Sequence, residues 1–268
     1  MISSGRKYLT AGLLSWQDCL AYRANAAIWA LVDGCGSMVM ALIWLSVFRD
    51  RGEIGGYSLN QMITYYLVAS AVSLLTTPHM EYNIIWEIRQ GLLSGYLTRP
   101  ADRYTMHIVS ETVWQVMKFL MFLPSYLVVC WFLRRYIIIT LTPLNLLFFC
   151  SAVLLAYLIN CGMKMLLGSV AFWVTETRGL FQVLECLWGL LSGEILPLSL
   201  LPIWLTVIGG FLPFKYVVWF PTELFLDRVP VQEAVLGLGL QVCWAVVLLV
   251  VSRLVWMRGL AVYEGVGG

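Results

Sequence analysis

The sequence is poor in charged residues and in histidine. Asp, Glu, Lys and Arg make up 12% of its 268 residues and there are two His, whereas soluble domains carry roughly 25% charged residues. A soluble domain of this size cannot cover its surface with so few charges, so the composition excludes an ordinary cytosolic enzyme and a disordered chain. Hydrophobic residues reach 60%, and this excess indicates a polytopic membrane protein.

Several motifs with known chemistry are missing as well. The sequence contains no GxxxxGK loop followed by Ser or Thr and no GxGxxG, so the chain has no usual site at which to hydrolyse ATP. It contains no HExxH, which excludes a zinc protease. The seven Cys lie mostly in apolar runs without a CxxC, which favours small buried residues over metal ligands or disulfides. Basic residues are scattered, which excludes nucleic-acid binding.

Six apolar runs are long enough to cross a bilayer, whose core of about 30 Å takes roughly 20 helical residues. All six must be helical, because lipid offers no partner to a free backbone N–H or C=O. The runs cover about Ala24–Phe48, Leu59–His79, Met106–Leu133, Pro143–Val174, Leu180 to just beyond Ile195, and Ala234–Met257. An even number of spans puts both termini on one side, and nine basic residues against six favour the inner side.

Three segments do not read as spans, and the first is Arg6–Tyr22. Its apolar residues recur at helical spacing on one face: Leu9, Leu13, Trp16 and Leu20. This pattern predicts an amphipathic helix that lies in the inner interface of the membrane.

The second segment is the long inner loop over 81–105, which begins EYNIIWEIRQGLLSGYLTRPAD. Its start has helical spacing, Gly91 and Gly95 weaken it, and Pro100 ends it. The pattern predicts a short helix of mixed polarity between two spans. Two interpretations remain open, a helix that a soluble partner grips and a plain interfacial connector.

The third segment, over 193–221, is apolar enough for the membrane but cannot form one straight span. Four prolines interrupt it: Pro197, Pro202, Pro213 and Pro221. We predict short helices that enter the membrane and return on the same face. Because broken backbone at membrane depth is tolerated only under protein or along a cavity, this segment is a candidate lid or lining of a path.

Ionisable residues inside apolar runs are informative, since each costs about 2.5–3.5 kcal/mol at a helix centre. The candidates are Asp33, Glu111, Lys118, Lys164, Glu185 and Glu194. They are consistent with a proton or substrate path. They are also consistent with structural pairing of an acid on one helix with Lys118 or Lys164 on another, or with side chains that reach the interface.

Taken in order along the chain, these segments resemble a known family. The matching stretches are AYRANAAIW, IGGYSLNQMITYYL, EIRQGLLSGYLTRP, LLGSVAFWVTETRGL, LSGEILPLSLLPIWL, LPFKYVVWFP and the tail RGLAVYEGVGG. The chain resembles the permease subunits of type-2 ABC exporters, in the six-span branch, over essentially its whole length. Lys118, Lys164 and the Cys content depart from the family pattern.

The resemblance implies an all-α polytopic membrane protein with one permease domain over 1–268 in the inner or plasma membrane, both termini being cytoplasmic. It implies a dimer with an identical or sister permease, two ATPase subunits on the inner face, and contact with membrane lipid. No cofactor would bind this chain, because ATP and Mg²⁺ would belong to the partner. The chain itself would not be an enzyme.

The resemblance also assigns roles to residues. Coupling to the ATPase falls on Glu87, Arg89, Gly91, Arg99 and Pro100. A path or intramembrane pairing falls on Asp33, Glu111, Lys118, Lys164 and Glu185, and an outer gate on Glu194, Pro197 and Pro202. The substrate stays open among lipid, glycolipid, peptide and hydrophobic drug. Two alternatives are a membrane anchor or assembly subunit without transport and a membrane-embedded lipid-modifying enzyme.

Overall fold

A computed structural model describes residues 4–21, 28, 36, 39–98, 101–140, 142–174 and 178–264. The helices are α1 (Ser4–Ala21), α2 (described over 39–47), α3 (Leu59–Thr76), α4 (Met80–Arg89), α5 (Leu93–Leu97), α6 (Arg103–Leu133), α7 (Pro143–Ser169), α8 (Arg178–Leu191), α9 (Ile203–Phe211), α10 (Trp219–Phe225) and α11 (Val231–Val262). Short 3-10 turns cover Val170–Phe172, Leu198–Leu200 and Pro213–Tyr216.

A small hairpin interrupts this helical chain between α2 and α3. Strand β1 (Glu53–Ile54) pairs antiparallel with β2 (Tyr57–Ser58). The turn uses Gly55 and Gly56, both at positive φ, as a tight two-residue hairpin requires. The sequence pattern does not predict this hairpin, since strands of two residues are too short to show alternation.

Three helical stretches are long and apolar enough to cross a membrane: Arg103–Leu133, Pro143–Phe172 and Val231–Val262. At 1.5 Å per residue, the 31 residues of α6 extend over about 46 Å. A fourth candidate is the pair Ile203–Phe211 and Pro213–Phe225, which is bent by 80°. The chain is therefore an all-α polytopic membrane protein.

The number of spans stays a prediction. Most of the first predicted span lies outside the described residues, and so does Asp33 within it. The second corresponds to α3, which has 18 residues. The fifth corresponds to α8, which has only 14.

Local capping explains where the long helices begin. The Asp102 side chain accepts from the backbone of the first turn of α6, and Thr142 does the same for α7. Pro143 follows at the first helical position, where its missing N–H costs nothing. Ser58 and Gln61 form a reciprocal capping box at the start of α3. These boundaries lie within a few residues of those predicted from the sequence.

Helix α7 forms the centre of the fold and packs closely on α11. A Cβ at Gly162 would stand 2.7 Å from the Leu248 Cβ, and one at Gly259 would stand 2.1 Å from the Phe172 ring. The missing side chains thus let the helices approach. Between them the buried Gln241 amide donates to two carbonyl oxygens, of Ala152 and Tyr216.

Helix α1 lies along α6. Gly12 faces Val109 and Val113 of α6, and the hydroxyls of Ser15 and Ser110 are 3.1 Å apart. Leu13 is 64% exposed and points away from the protein. The side chains of Arg6 and Leu9 lie outside the described part of the chain, and the interfacial position of residues 6–22 stays a prediction.

The segment over 193–221 consists of short helical pieces with breaks at prolines. Pro202 precedes α9, and Pro213 begins the 3-10 turn before α10. Gly193 lies two residues after the end of α8 and has φ +84°. This course excludes a single straight helix, while the return of the segment to the outer face stays a prediction.

Candidate functional site

The α4 helix is held by two buried ion networks, one near each end. The first joins α4, α7 and α8 through Lys164. Its ammonium lies 2.6 Å from Glu81 Oε1 and 3.8 Å from Glu185 Oε1. The Tyr82 hydroxyl donates to Glu185 at 2.7 Å, and the ammonium faces the Trp188 ring. Lys164 and Glu81 are 3% and 1% exposed, so this pair is shielded from solvent.

A glycine on α7 brings α4 close enough for this contact. Gly168 lies one turn after Lys164, and a Cβ there would stand 2.9–3.1 Å from three atoms of Ile84. Ile84 is fully buried at this point. The helical spacing at the start of the 81–105 loop leaves Glu81 and Glu87 off its apolar positions, yet both acids are buried, at 1% and 5% exposed.

The corner between α3 and α4 adds a second acid to the same region. Glu111 on α6 accepts from the His79 backbone N–H at 3.0 Å, and His79 Nδ1 is 3.9 Å from Glu81. Asn160 on α7 donates to the Thr76 carbonyl at 2.6 Å. Several buried polar atoms there have no protein partner: Thr76 Oγ1, Thr77 Oγ1, Glu81 Oε2, Asn160 Oδ1 and both amide atoms of Gln115. Such an interior suits ordered water.

The second network holds the other end of α4 against α6. The Arg103 guanidinium binds both Glu87 oxygens, and His107 Nε2 lies 3.3 Å from Glu87 Oε2. His107 packs edge-on against Trp256 of α11, and Arg103 stacks over the Tyr96 ring of α5. Burial alone would raise the pKa of the Glu87 carboxyl, but His107 and Arg103 outweigh it and hold that pKa below its ordinary value.

A third ion pair ties the start of α6 to α11. Both Asp102 oxygens accept from Arg253, at 2.8 and 2.9 Å. Burial alone would raise the pKa of the Asp102 carboxyl. The hydrogen bonds from Thr105 and Arg253 outweigh this effect and hold the pKa below its ordinary value. The same carboxylate therefore caps α6 and anchors α11.

The predicted coupling residues occupy two different environments. Arg89 is exposed at the end of α4, and Gly91 follows at φ +70°. Glu87 faces inward, so a direct contact with a partner would require it to leave Arg103 and His107. Arg99 and Pro100 lie outside the described residues.

The predicted path residues are separated by the structure. Lys164 and Glu185 share one network with Glu81, an acid that the sequence analysis assigned to the loop. Glu111 is buried beside His79, and Lys118 is half-buried two turns further along α6. Asp33 lies outside the described residues. Among the residues that the structure describes, no group of three or more His, Cys, Asp or Glu is placed to hold a metal ion.

The predicted gate residues begin a segment that is bonded to α3. Ser73 donates to Glu194 at 2.7 Å. Tyr65 and Tyr66 donate to the carbonyls of Gly193 and Ile195, at 2.6 and 2.9 Å. Pro197 and Pro202 precede the next 3-10 turn and α9. The start of this segment is thus joined to α3 by three hydrogen bonds.

The far end of the segment carries a site that the sequence analysis missed. The Tyr57 hydroxyl donates to Glu223 Oε1 at 2.5 Å, and Arg228 Nε lies 3.1 Å from the other oxygen. Arg228 also stacks over the Tyr57 ring and donates to the Gly56 carbonyl. A buried Glu followed five residues later by Arg is too common a pattern to signal such a site.

Comparison with known proteins gives one finding. A family described as "ABC-2 family transporter protein" matches residues 36–267, which is most of the chain. No curated protein and no solved structure matches the sequence.

Proposed function

The chain belongs to the ABC-2 family of transporter proteins, and from this premise we propose that it is the membrane-spanning subunit of an ATP-driven exporter. It forms the path for a lipid-like, peptide or hydrophobic substrate. The sequence has no phosphate loop, so ATP and Mg²⁺ bind to separate ATPase subunits, two per complex. The chain pairs with an identical or sister permease.

The proposed topology has six spans and two cytoplasmic termini. In addition to the three long apolar stretches, it uses the run that ends in α2, then α3 and α8. The excess of basic residues on one set of loops supports this orientation. It places α4 and α5 on the cytoplasmic side as the coupling segment, and residues 193–221 on the outer side.

The observation that carries the proposal is the double ionic attachment of α4. Glu81 binds Lys164 on α7, and Glu87 binds Arg103 on α6. Because both carboxylates are buried and paired, a movement of α4 is transmitted directly to α6 and α7. We assign the ATPase contact to Arg89, Gly91, Arg99 and Pro100, and we assign Glu87 to a positioning role.

The outer end of the proposed path follows the same logic. The hydrogen bonds of Gly193, Glu194 and Ile195 to α3 join the outer segment to a helix that leads directly into α4. Movement of α4 would therefore reach Glu194, Pro197 and Pro202 through α3. This gives the gate a connection to the ATPase side.

The first test is a mild-detergent pull-down of the tagged chain from its native membranes, with mass spectrometry of what accompanies it. We expect a companion with a phosphate loop at near-stoichiometric yield, and a sister permease would establish a heterodimer. Absence of any ATPase, under detergents that keep the chain folded, would instead favour an anchor or assembly subunit or a lipid-modifying enzyme.

The second test addresses coupling in the purified complex. Arg89→Ala or Arg99→Ala should lower ATPase activity in proteoliposomes while the subunits still assemble, because charge-assisted hydrogen bonds to the partner are lost. Arg134→Ala is a matched control, since Arg134 is exposed at the opposite end of α6. Wild-type ATPase activity in both Arg89 and Arg99 variants would overturn the coupling assignment.

A further inference from the structure

An open cleft of about 480 Å³ lies between α4 and α8. Its walls combine aromatic, amide and charged side chains: Tyr82, Trp86 and Arg89 from α4, and Phe181, Gln182 and Glu185 from α8. Its size is that of a site for a small molecule or headgroup. Both signs of charge line it, which an acyl chain or an apolar drug does not need.

The floor of the cleft fixes its depth in the membrane. Ile85 of α4 and Phe181 of α8 pack on Ala171 in one buried cluster. Ala171 belongs to the last turn of the candidate span Pro143–Phe172. The cleft therefore lies level with the end of a span, and lipid headgroups occupy that level.

The side of the cleft around Glu185 carries an excess of negative charge. Glu81 and Glu185 share one ammonium, and Lys164 is closer to Glu81. Glu185 is the more accessible acid, with its side chain 42% exposed. Tyr82 and Trp86 line the same cleft, and aromatic faces attract cations. This side of the cleft suits an ammonium group.

The end of α4 carries the opposite chemistry. The Arg89 guanidinium lines the cleft together with the amides of Gln90 and Gln182. A guanidinium offers a planar fork of N–H donors that matches a phosphate, and the amides add neutral donors. The cleft thus has a basic side at Arg89 and an acidic side at Glu185.

An exposed apolar side chain stands on the α4 wall of the cleft. Trp86 lines the cleft and is 59% exposed. An acyl chain would cover this ring, and together with the depth of the cleft this favours a lipid over a soluble phospho-amine.

We propose that the α4–α8 cleft binds the headgroup of a zwitterionic amine phospholipid, with its phosphate at Arg89 and its ammonium at Glu185. The orientation given under the proposed function places this lipid in the inner leaflet. The binding itself requires neither the ATPase nor transport.

The test is native mass spectrometry of the purified full chain, titrated with dioleoyl phosphatidylethanolamine or dioleoyl phosphatidylglycerol. We expect the amine lipid to bind roughly tenfold more tightly, as one charge-assisted contact implies. Glu185→Gln should remove this preference and leave binding of the glycerol lipid unchanged. Arg89→Gln should weaken both lipids by about tenfold.

Two exposed residues outside the cleft supply matched controls. Glu233→Gln and Arg134→Gln make the same chemical changes at exposed positions on α11 and after α6, and both should bind lipid as the wild type does. Arg89 is exposed, so its variant remains informative even where Glu185→Gln disturbs Tyr82 and Lys164.

Three outcomes would overturn the proposal. One is equal binding of the two lipids by the wild type, and another is an equal loss in the control variants. The third is displacement of the amine lipid by millimolar phosphoethanolamine, which would identify a soluble ligand. Because Arg89 also belongs to the proposed coupling contact, the assay omits the ATPase, and failure of either proposal leaves the other standing.

Discussion

Replacing Lys164 by Met removes the ammonium at the junction of α4, α7 and α8 while keeping the length of the side chain. Glu81 then remains buried, at 1% exposure, without the partner that stood 2.6 Å away. Breaking a buried pair in this way costs about 3–5 kcal/mol of unfolding free energy. For a chain of this length each kcal/mol corresponds to about 2–4 °C, so Lys164→Met should lower the melting temperature by roughly 6–20 °C.

The informative comparison is the double variant Glu81→Gln with Lys164→Met. It removes both charges, so no uncompensated carboxylate remains from this pair, and we expect a loss of only about 1–2 kcal/mol. Thermal unfolding in detergent, followed by tryptophan fluorescence, measures the stability of Lys164→Met, of Glu81→Gln and of the double variant. Arg134→Met is the control, since Arg134 is exposed and its change should stay within about 0.5 kcal/mol.

Double-mutant additivity decides whether the reasoning holds. If the double variant loses as much stability as the two single variants together, Glu81 and Lys164 are not coupled. A Lys164→Met protein within about 1 kcal/mol of the wild type would likewise refute the buried pair.

Two further predictions concern a glycine after α8 and a buried acid of α4. Gly193→Ala should destabilise the protein by about 1–3 kcal/mol, because Gly193 has φ +84° and a Cβ there would stand 2.7 Å from the Trp219 Cβ. Gly210→Ala is the control and should not destabilise it, since nothing lies within 4 Å of a Cβ at Gly210. Equal melting temperatures of the two variants would contradict the prediction. Burial alone would raise the pKa of Glu87, but His107 and Arg103 outweigh it and hold the folded-state pKa below the ordinary value of 4.5. The ion pair of Glu87 therefore stabilises the fold at a pH above 4.5, and this stabilisation is lost as the pH falls through the lower folded-state pKa. Melting temperatures of the wild type should therefore fall on acidification more steeply than those of Glu87→Gln, and parallel curves would contradict the assignment.

Helix positions were predictable from the sequence because their causes are local. The caps Asp102 and Thr142 stand directly before apolar runs, and Pro143 marks the first turn of α7. Gly91 ends α4 at positive φ, as its place after a helical pattern indicates. The family match over 36–267 confirms the resemblance that the ordered segments suggested.

The ion networks were not predictable because their partners are not related by helical spacing. Glu87 and Arg103 lie 16 positions apart, on two helices whose angle the sequence does not fix. Glu81 and Lys164 lie 83 apart. Hydrophobic periodicity places Glu81 outside the apolar stripe, but the approach of α7 at Gly168 encloses it all the same. Burial of a charged residue depends on which helix packs against it, whereas hydrophobic periodicity describes only the helix in which the residue lies.

The bonds that Tyr65 of α3 and Tyr57 of β2 make with later parts of the chain also set an order of events during synthesis. Tyr65 needs a carbonyl 128 positions later, and Tyr57 needs a carboxylate 166 positions later. At about 5–20 residues per second, the ribosome supplies Glu223 roughly 8–33 seconds after Tyr57. For that time the Tyr57 hydroxyl lacks its final acceptor, and the Tyr65 hydroxyl waits for the Gly193 carbonyl in the same way. A chain that stops before Gly193 therefore leaves both hydroxyls without these acceptors.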